Sequence, residues 1–446
     1  MEADGSWPIV WARARGVNVW DSEGRKHLDL TAAFGVAAAG HANPRVVRAG
    51  QRQMATLLHA MGDVHPHSLK AVLAKELSAL TFERWSSEQA KGKRRKTKGP
   101  AFTGKTIFCN SGFEAVEAAL KTAALATGKR GVIAFEGAYH GLGYGALNVT
   151  HRAHFRSPFR AQLREFGHFL PFPDAVGRGV LTAPSASGRL RRAEDSAPYP
   201  LRELRTRLEK LLRRGDVGAI LVEPVQARGG LQVPPPEFLP HLREMCDAHG
   251  ALLILDEIYT GFGRTGKWFA CEHSGVVPDV ICLGKALTGG FPLSACVGRA
   301  EVMDAAWPVS TGEAIHTSTF LGHPVGCAMA LAQIAELQRL KLVERTARLG
   351  AWLGGELAKV HGPKSKVQSR VRGVGLMQGL ELVRADGSPA TEESLGIIKR
   401  LLHRGFIFLP EGEHANVIGF TPPLTITQRD LRRAIAALAD ELATLP

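Results

Sequence analysis

Three absences narrow what this chain can be. No run of about 18 apolar residues occurs in the 446-residue sequence, so no membrane-spanning helix is expected. The opening MEADGSWPIVWARARG lacks a basic start followed by an apolar stretch, so no signal peptide is expected. The six cysteines (Cys109, Cys246, Cys271, Cys282, Cys296, Cys327) form no CxxC pair and no metal-type spacing with histidine. Most lie within apolar runs, where a free thiol packs as a small hydrophobe. They read as reduced core residues of a cytoplasmic protein, with no metal site. There are no internal repeats.

Acidic residues are also in deficit, 42 against 56 basic ones, for a net charge of +14 with histidine neutral. The surplus is concentrated. Lys91, Lys93, Arg94, Arg95, Lys96 and Lys98 form one run, and Arg189, Arg191 and Arg192 lie in a Ser/Pro/Gly-rich stretch. A helix-like segment follows with Arg202, Arg205, Arg207, Lys210, Arg213 and Arg214. Such runs can hold nucleic acid, but no aromatic residues interleave and no nucleic-acid module accompanies them. The reading is a solvated surface with neither nucleic acid nor membrane as partner.

What is present is globular composition, 45% hydrophobic and 22% charged, in a chain long enough for two domains. Short apolar runs at Thr106–Cys109, Gly131–Phe135, Gly218–Val222, Leu252–Leu255 and Val280–Leu283 do not alternate, as suits strands buried on both faces of a parallel sheet. Helical patterns separate them, at Glu114–Thr127 and Pro240–His249 among others. From about 326 the pattern shifts to a long helix, Pro324–Leu340, then shorter elements and an amphipathic helix from Gln428. The expected fold class is α/β. Residues 61–325 form a large, mainly parallel doubly wound domain, and residues 1–60 and 326–446 together form a smaller α/β domain. Segments near 86–104 and 173–200, rich in basic, Gly, Ser and Pro residues, read as inserted loops.

Ligands of a parallel sheet bind beyond the carboxyl ends of its strands, and three polar groups fall there. Ser111 and Glu114, in Asn110-Ser111-Gly112-Phe113-Glu114, make a capping-box pattern at a strand-to-helix turn. That is either a plain capped helix or a phosphate site on a helix N-terminus. Asp256 and Glu257 end the 252–255 run, where carboxylates need a partner: a structural cation or a protonated ring nitrogen. Lys285 ends the 280–283 run among glycines. It is either a lysine snorkelling from the sheet end or a buried amine with a lowered pKa, usable as a nucleophile.

Together these pieces resemble the class III (ω-type) aminotransferases of pyridoxal-phosphate (PLP) fold type I. The likeness runs from Trp20-Asp21-Ser22-Glu23-Gly24 and Gly40-His41-Ala42-Asn43-Pro44 to Pro422-Pro423-Leu424. Its longest motif is Leu255-Asp256-Glu257-Ile258-Tyr259-Thr260-Gly261-Phe262-Gly263-Arg264-Thr265-Gly266. The resemblance implies that Lys285 carries PLP as a Schiff base and that Asp256 keeps the ring nitrogen protonated. It implies that Ser111, Gly112 and Phe113 hold the phosphate end, and that Tyr139 and Ile258 flank the ring in the Gly137-Ala138-Tyr139-His140-Gly141 loop and the long motif. His140 and Glu223 are implied cofactor-side residues. Thr319 is implied to reach the phosphate of a neighbouring subunit, hence a homodimer with shared sites. Phe34 is implied to face the substrate. The implied reaction passes an amino group from an amine or amino acid to a keto acid, pyruvate or 2-oxoglutarate, by a ping-pong route.

The chain departs from the family in three places. Tyr259 stands where many members have a glutamine on the cofactor's phenolic oxygen; its hydroxyl could still donate there. Gly419 stands where an arginine grips substrate carboxylate in several subfamilies, and glycine offers no fork. Arg228 stands where those subfamilies have glutamate or a small residue, either as a substrate-side clamp for carboxylate or phosphate or as a surface or interface residue. Arg372 matches a common family position and reads as structural. Two rivals stay open: a racemase or amino-phosphate lyase using the same Lys285 and Asp256, and a basic binding protein on an inactive scaffold.

Overall fold

The computed structural model describes residues 7–62, 64–92, 102–173, 201–309, 312–360 and 367–445. Residues 93–98 of the basic run, Arg189, Arg191 and Arg192 lie outside the described residues. The first expected insert is not a loop throughout, since Arg84–Gly92 is helical. Packing explains this: Trp85 is buried edge-on against Phe82 at 5.4 Å and Phe269 at 5.7 Å, which anchors the helix start.

Among the described residues fifteen strands build three sheets. The large one contains β4 (Gly104–Cys109), β5 (Gly131–Phe135), β6 (Gly167–Leu170), β7 (Val217–Val222), β8 (Leu252–Asp256), β9 (Val280–Leu283) and β10 (Ser294–Arg299), in the order β4-β10-β9-β8-β7-β5-β6. The β6/β5, β5/β7, β7/β8 and β8/β9 pairs are parallel, while β10 runs antiparallel to both neighbours. Strands β5, β7 and β9 are buried at every residue, which is why their sequences do not alternate. Strands β6 and β10 were not expected. The first is a short edge strand, and Ser294 and Gly298 dilute the apolar pattern of the second.

The chain ends meet in the smaller sheets. Strands β1 (Trp11–Arg15), β2 (Asn18–Asp21) and β3 (Lys26–Asp29) are joined by β13 (Phe406–Ile407), which pairs parallel with β3. Strands β11 (Val367–Val374), β12 (Met377–Arg384), β15 (Val417–Phe420) and β14 (Leu409–Glu411) form an antiparallel sheet in that order. Arg372 lies in it, bonded through Nε to Glu381 at 2.9 Å.

Arg264 fastens the long motif to these C-terminal segments. Its side chain is fully buried, and Nη1 donates to the Leu376 carbonyl at 3.0 Å and the Pro422 carbonyl at 2.5 Å. A buried guanidinium is costly unless its donors are satisfied, and two carbonyls here offset part of that cost. Arg264→Leu should strand both carbonyls and lower stability by about 2–4 kcal/mol, seen as a lower thermal unfolding midpoint. An unchanged midpoint would show that these bonds do not hold the segments together.

Candidate active site

Directions in the large sheet place the carboxyl ends of β4, β5, β7, β8 and β9 on one edge, because the two antiparallel contacts of β10 restore β4 to the sense of β9. A cavity of about 330 Å³ opens there. Gly112, Phe113, Tyr139, His140, Glu223, Arg228, Asp256, Ile258, Tyr259 and Lys285 line it, with Gly141, Leu142 and Ala227. Ten of the residues singled out in the sequence thus share one wall space. Ser111, Phe34 and Thr319 do not line it.

Lys285 follows β9 with φ 39°, a left-handed conformation that costs a non-glycine residue about 1–3 kcal/mol. Burial lowers its amine pKa below the ordinary lysine value, against the opposing pull of Asp256, Glu223 and Glu411. A larger share of neutral, nucleophilic amine at neutral pH follows. The Nζ sits 4.3 Å from the centroid of the Tyr259 ring.

Asp256 ends β8 and is buried. One oxygen lies 2.8 Å from His140 Nδ1 and the other accepts the Ile258 N–H at 3.1 Å. Glu223, after β7, accepts the backbone N–H of Tyr139 at 3.0 Å and of Ala227 at 3.1 Å. It thereby ties the 137–141 loop to the 223–228 turn. Burial pushes Glu223 up to about 7, with the Asp256 charge adding to the rise. Glu257 faces away from the cavity. It accepts the Ala270 and Cys271 N–H groups at 2.8 Å each, a structural role.

The 16-residue helix Gly112–Thr127 starts at Ser111, whose N–H is held by the Glu114 carboxylate at 2.8 Å. The expected N-terminal glutamate contact is therefore formed, and Gly112 and Phe113 present the first turn to the cavity. A Cβ on Gly112 would come within 3.0 Å of Ile258 Cδ1, so any side chain there would press on the residue beside it. A phosphate beside this helix start is favoured by its dipole and free N–H groups.

Phe34 lies on a turn where Ala32, Ala33 and Phe34 are all left-handed, at φ 49°, 50° and 60°. Asp29 holds that turn by accepting from Thr31 N at 2.8 Å and Thr31 Oγ1 at 2.6 Å, with His41 Nε2 2.7 Å from its second oxygen. Gly35 follows directly against Tyr259: a Cβ there would lie 2.9 Å from its ring. The Tyr259 hydroxyl sits 3.2 Å from Thr421 Oγ1, so its ring and not its hydroxyl faces Lys285. Thr319 is exposed in the turn before helix Pro324–Arg339.

The sequence reading missed Glu411 and Arg152. Glu411 ends β14 and lies 3.3 Å from Arg228 Nη1, and Arg152 donates to the Arg228 carbonyl. A carboxylate closing the apolar run 406–410 was the available signal for Glu411, much as the paired carboxylates closing the 252–255 run marked Asp256. Nothing local marks Arg152.

An amine, a carboxylate and a helix N-terminus on one cavity fit an aldehyde, a protonated ring nitrogen and a phosphate, the three functional ends of PLP. Comparison with known proteins agrees. The family model "Aminotransferase class-III" matches residues 2–442. The chain is 36% identical over 444 residues to the 5-aminovalerate aminotransferase DavT of Pseudomonas aeruginosa, covering 98% of this chain and 94% of that one. It is 35% identical to the putrescine aminotransferase of Pectobacterium atrosepticum, covering 99% and 84%. Among solved structures, the Toxoplasma gondii ornithine aminotransferase described with PLP at its active site superposes with a TM-score of 0.77 at 27% identity, covering 98% of this chain and 91% of that one. The chain therefore belongs to the class III aminotransferases, and it is a PLP-dependent transaminase.

Proposed function

We propose that this transaminase takes its amino group from an amine or amino acid and delivers it to a keto acid, pyruvate or 2-oxoglutarate, by a ping-pong route. The observation that carries the reading is the convergence of Lys285, Asp256 and the start of helix Gly112–Thr127 on one cavity. When bound, PLP supplies the electron sink that acidifies the substrate carbon. Lys285 Nζ would be the attachment point, and its free amine would serve as the base that moves the substrate's proton. Asp256, oriented by His140, holds a proton on the ring nitrogen. Gly112 and Phe113, beside Ser111, would hold the phosphate, and Tyr139 and Ile258, which line the same cavity, would hold the ring. Glu223 fixes the loop that carries Tyr139. Arg228, on the cavity wall, would form the substrate side, and Phe34 would approach it from the turn whose Gly35 packs on Tyr259.

We further propose a homodimer in which Thr319 reaches the partner's phosphate. Leu58, Met61, Val64 and Phe320 are all exposed, and His59 packs against Phe320 at 5.3 Å. An apolar surface of this kind beside Thr319 suits a covered interface. Residues 1–60 and 326–446 form the small domain and 61–325 the large one, a division supported by β13 pairing with β3 and by a large sheet drawn entirely from residues 104–299. The buried free cysteines suit a cytoplasmic location. Among the described residues no helix is long and apolar enough to cross a membrane.

Asp256→Asn should retain the fold and the cofactor yet slow the single-turnover half-reaction by about a hundredfold or more, because the ring nitrogen loses its counter-charge. Near-normal turnover would remove Asp256 from that role. Titrating the PLP-loaded enzyme with amines, ω-amino acids and α-amino acids should convert the cofactor spectrum to that of its aminated form with at least one donor. Pyruvate or 2-oxoglutarate should then restore the starting spectrum. Exchange of the α-proton in heavy water without conversion would favour a racemase or lyase.

A further inference from the structure

Tyr259 has a hydroxyl and a ring face, and the two are committed to different neighbours. The hydroxyl lies 3.2 Å from Thr421 Oγ1, which itself donates to the Thr31 carbonyl at 3.3 Å. A threonine hydroxyl has one proton to give, so the Tyr259 O–H is the donor of the first contact. Burial and the Glu411 charge push the Tyr259 pKa up, which keeps that proton in place. The phenol is thus used within the protein. It ties the long motif to Thr421 and, through Thr31, to the turn that Asp29 holds.

The ring is held as closely. Tyr259 is 6% exposed, and its Cε1 would come within 2.9 Å of a Cβ on Gly35, so that position admits only glycine. Lys285 Nζ lies over the ring, 4.3 Å from its centroid. That is well inside the distance of about 6 Å at which a ring face attracts an ammonium, and the attraction grows where water is excluded. A free lysine side chain has many rotamers, and gathering its amine to one point costs entropy unless something holds it there. Glutamine, which many family members carry at this position, has no ring face to offer.

We propose that Tyr259 is a positioning residue for Lys285. Its ring face is the resting place of the amine whenever that amine is not joined to the cofactor, and the Tyr259–Thr421–Thr31 chain of hydrogen bonds steadies the ring. The hydroxyl does not serve the cofactor's phenolic oxygen. This rests on the reading above that makes Lys285 the attachment point, and adds how its free amine is kept at hand.

The test is trace acetylation of enzyme loaded with pyridoxamine phosphate, the aminated cofactor, which leaves the Lys285 amine free. Acetic anhydride reacts with neutral amine only, so labelling of the Lys285 peptide, followed by mass spectrometry across a range of pH, gives the pH at which half the amine is neutral. Tyr259→Leu, which loses the ring face, should lower that pH by about 0.5 or more, because the face favours the charged form. Tyr259→Phe and Thr421→Val keep the face and lose only its anchor, and each should lower it by less than half as much. The absorption maximum of PLP-loaded Tyr259→Phe should match that of wild type, since no hydroxyl is withdrawn from the cofactor. A retained thermal midpoint qualifies each variant, and should Tyr259→Leu fail to fold, Tyr259→Met makes the same comparison. A ringless variant whose labelling pH is unchanged or raised would overturn the proposal. So would an anchor variant that falls as far as the ringless one, or a shifted PLP absorption in Tyr259→Phe. Failure of the transaminase reading looks different: the aminated cofactor is supplied directly here, whereas in that case no amine would convert the PLP spectrum.

Discussion

Charge burial at the carboxyl edge of the large sheet is the constraint on which the rest of the site depends. Asp256 ends a strand whose inner residues are apolar, and water is replaced around it by His140, the Ile258 N–H and the cavity. A carboxylate in such a place is tolerated only with partners that stay put. The surrounding architecture supplies them. Strand β5 delivers His140 through the 137–141 loop, Glu223 at the end of β7 pins that loop by the Tyr139 N–H, and β9 delivers Lys285. Each contact needs its strand at a fixed register, so sheet pairing and site geometry are one requirement.

The second layer of organisation is backbone strain held in place by packing. Lys285 and the three residues Ala32, Ala33 and Phe34 are left-handed without being glycine. At about 1–2 kcal/mol each, such conformations persist only where neighbours determine them. Asp29, His41 and Thr31 hold one turn, while the Tyr259 ring packs between Gly35 and the Lys285 amine. Tyr259 in turn meets Thr421, whose Oγ1 donates to the Thr31 carbonyl at 3.3 Å. A tyrosine in place of glutamine thus joins the N-terminal turn, the C-terminal segment and the lysine.

Legibility in the sequence followed the local character of each feature. Buried parallel strands announce themselves as unbroken apolar runs, so β5, β7, β8 and β9 were placed within a residue or so. The groups at their ends were equally readable, because Ser111, Asp256 and Lys285 each break an apolar run at a predicted strand end. The edge strand β6 and the antiparallel β10 lacked that signature. Helix Arg84–Gly92 was hidden by its polar composition and by the basic run that follows, although Trp85 anchors it. Glu411 and Arg152 meet Arg228 only through tertiary contacts spanning 183 and 76 positions. No local pattern encodes such contacts.

The charge pattern separates two levels of specificity. Lys285, Asp256 and the helix start suit the cofactor common to the family, whereas Gly419 and Arg228 stand where several subfamilies carry other residues. The central claim is that Lys285 bears the cofactor. Borohydride reduction of the PLP-loaded enzyme, followed by proteolysis and peptide mass mapping, tests it directly. The account predicts one pyridoxyl group per chain, on the peptide containing Lys285; a label on another lysine, or none on this one, would contradict it.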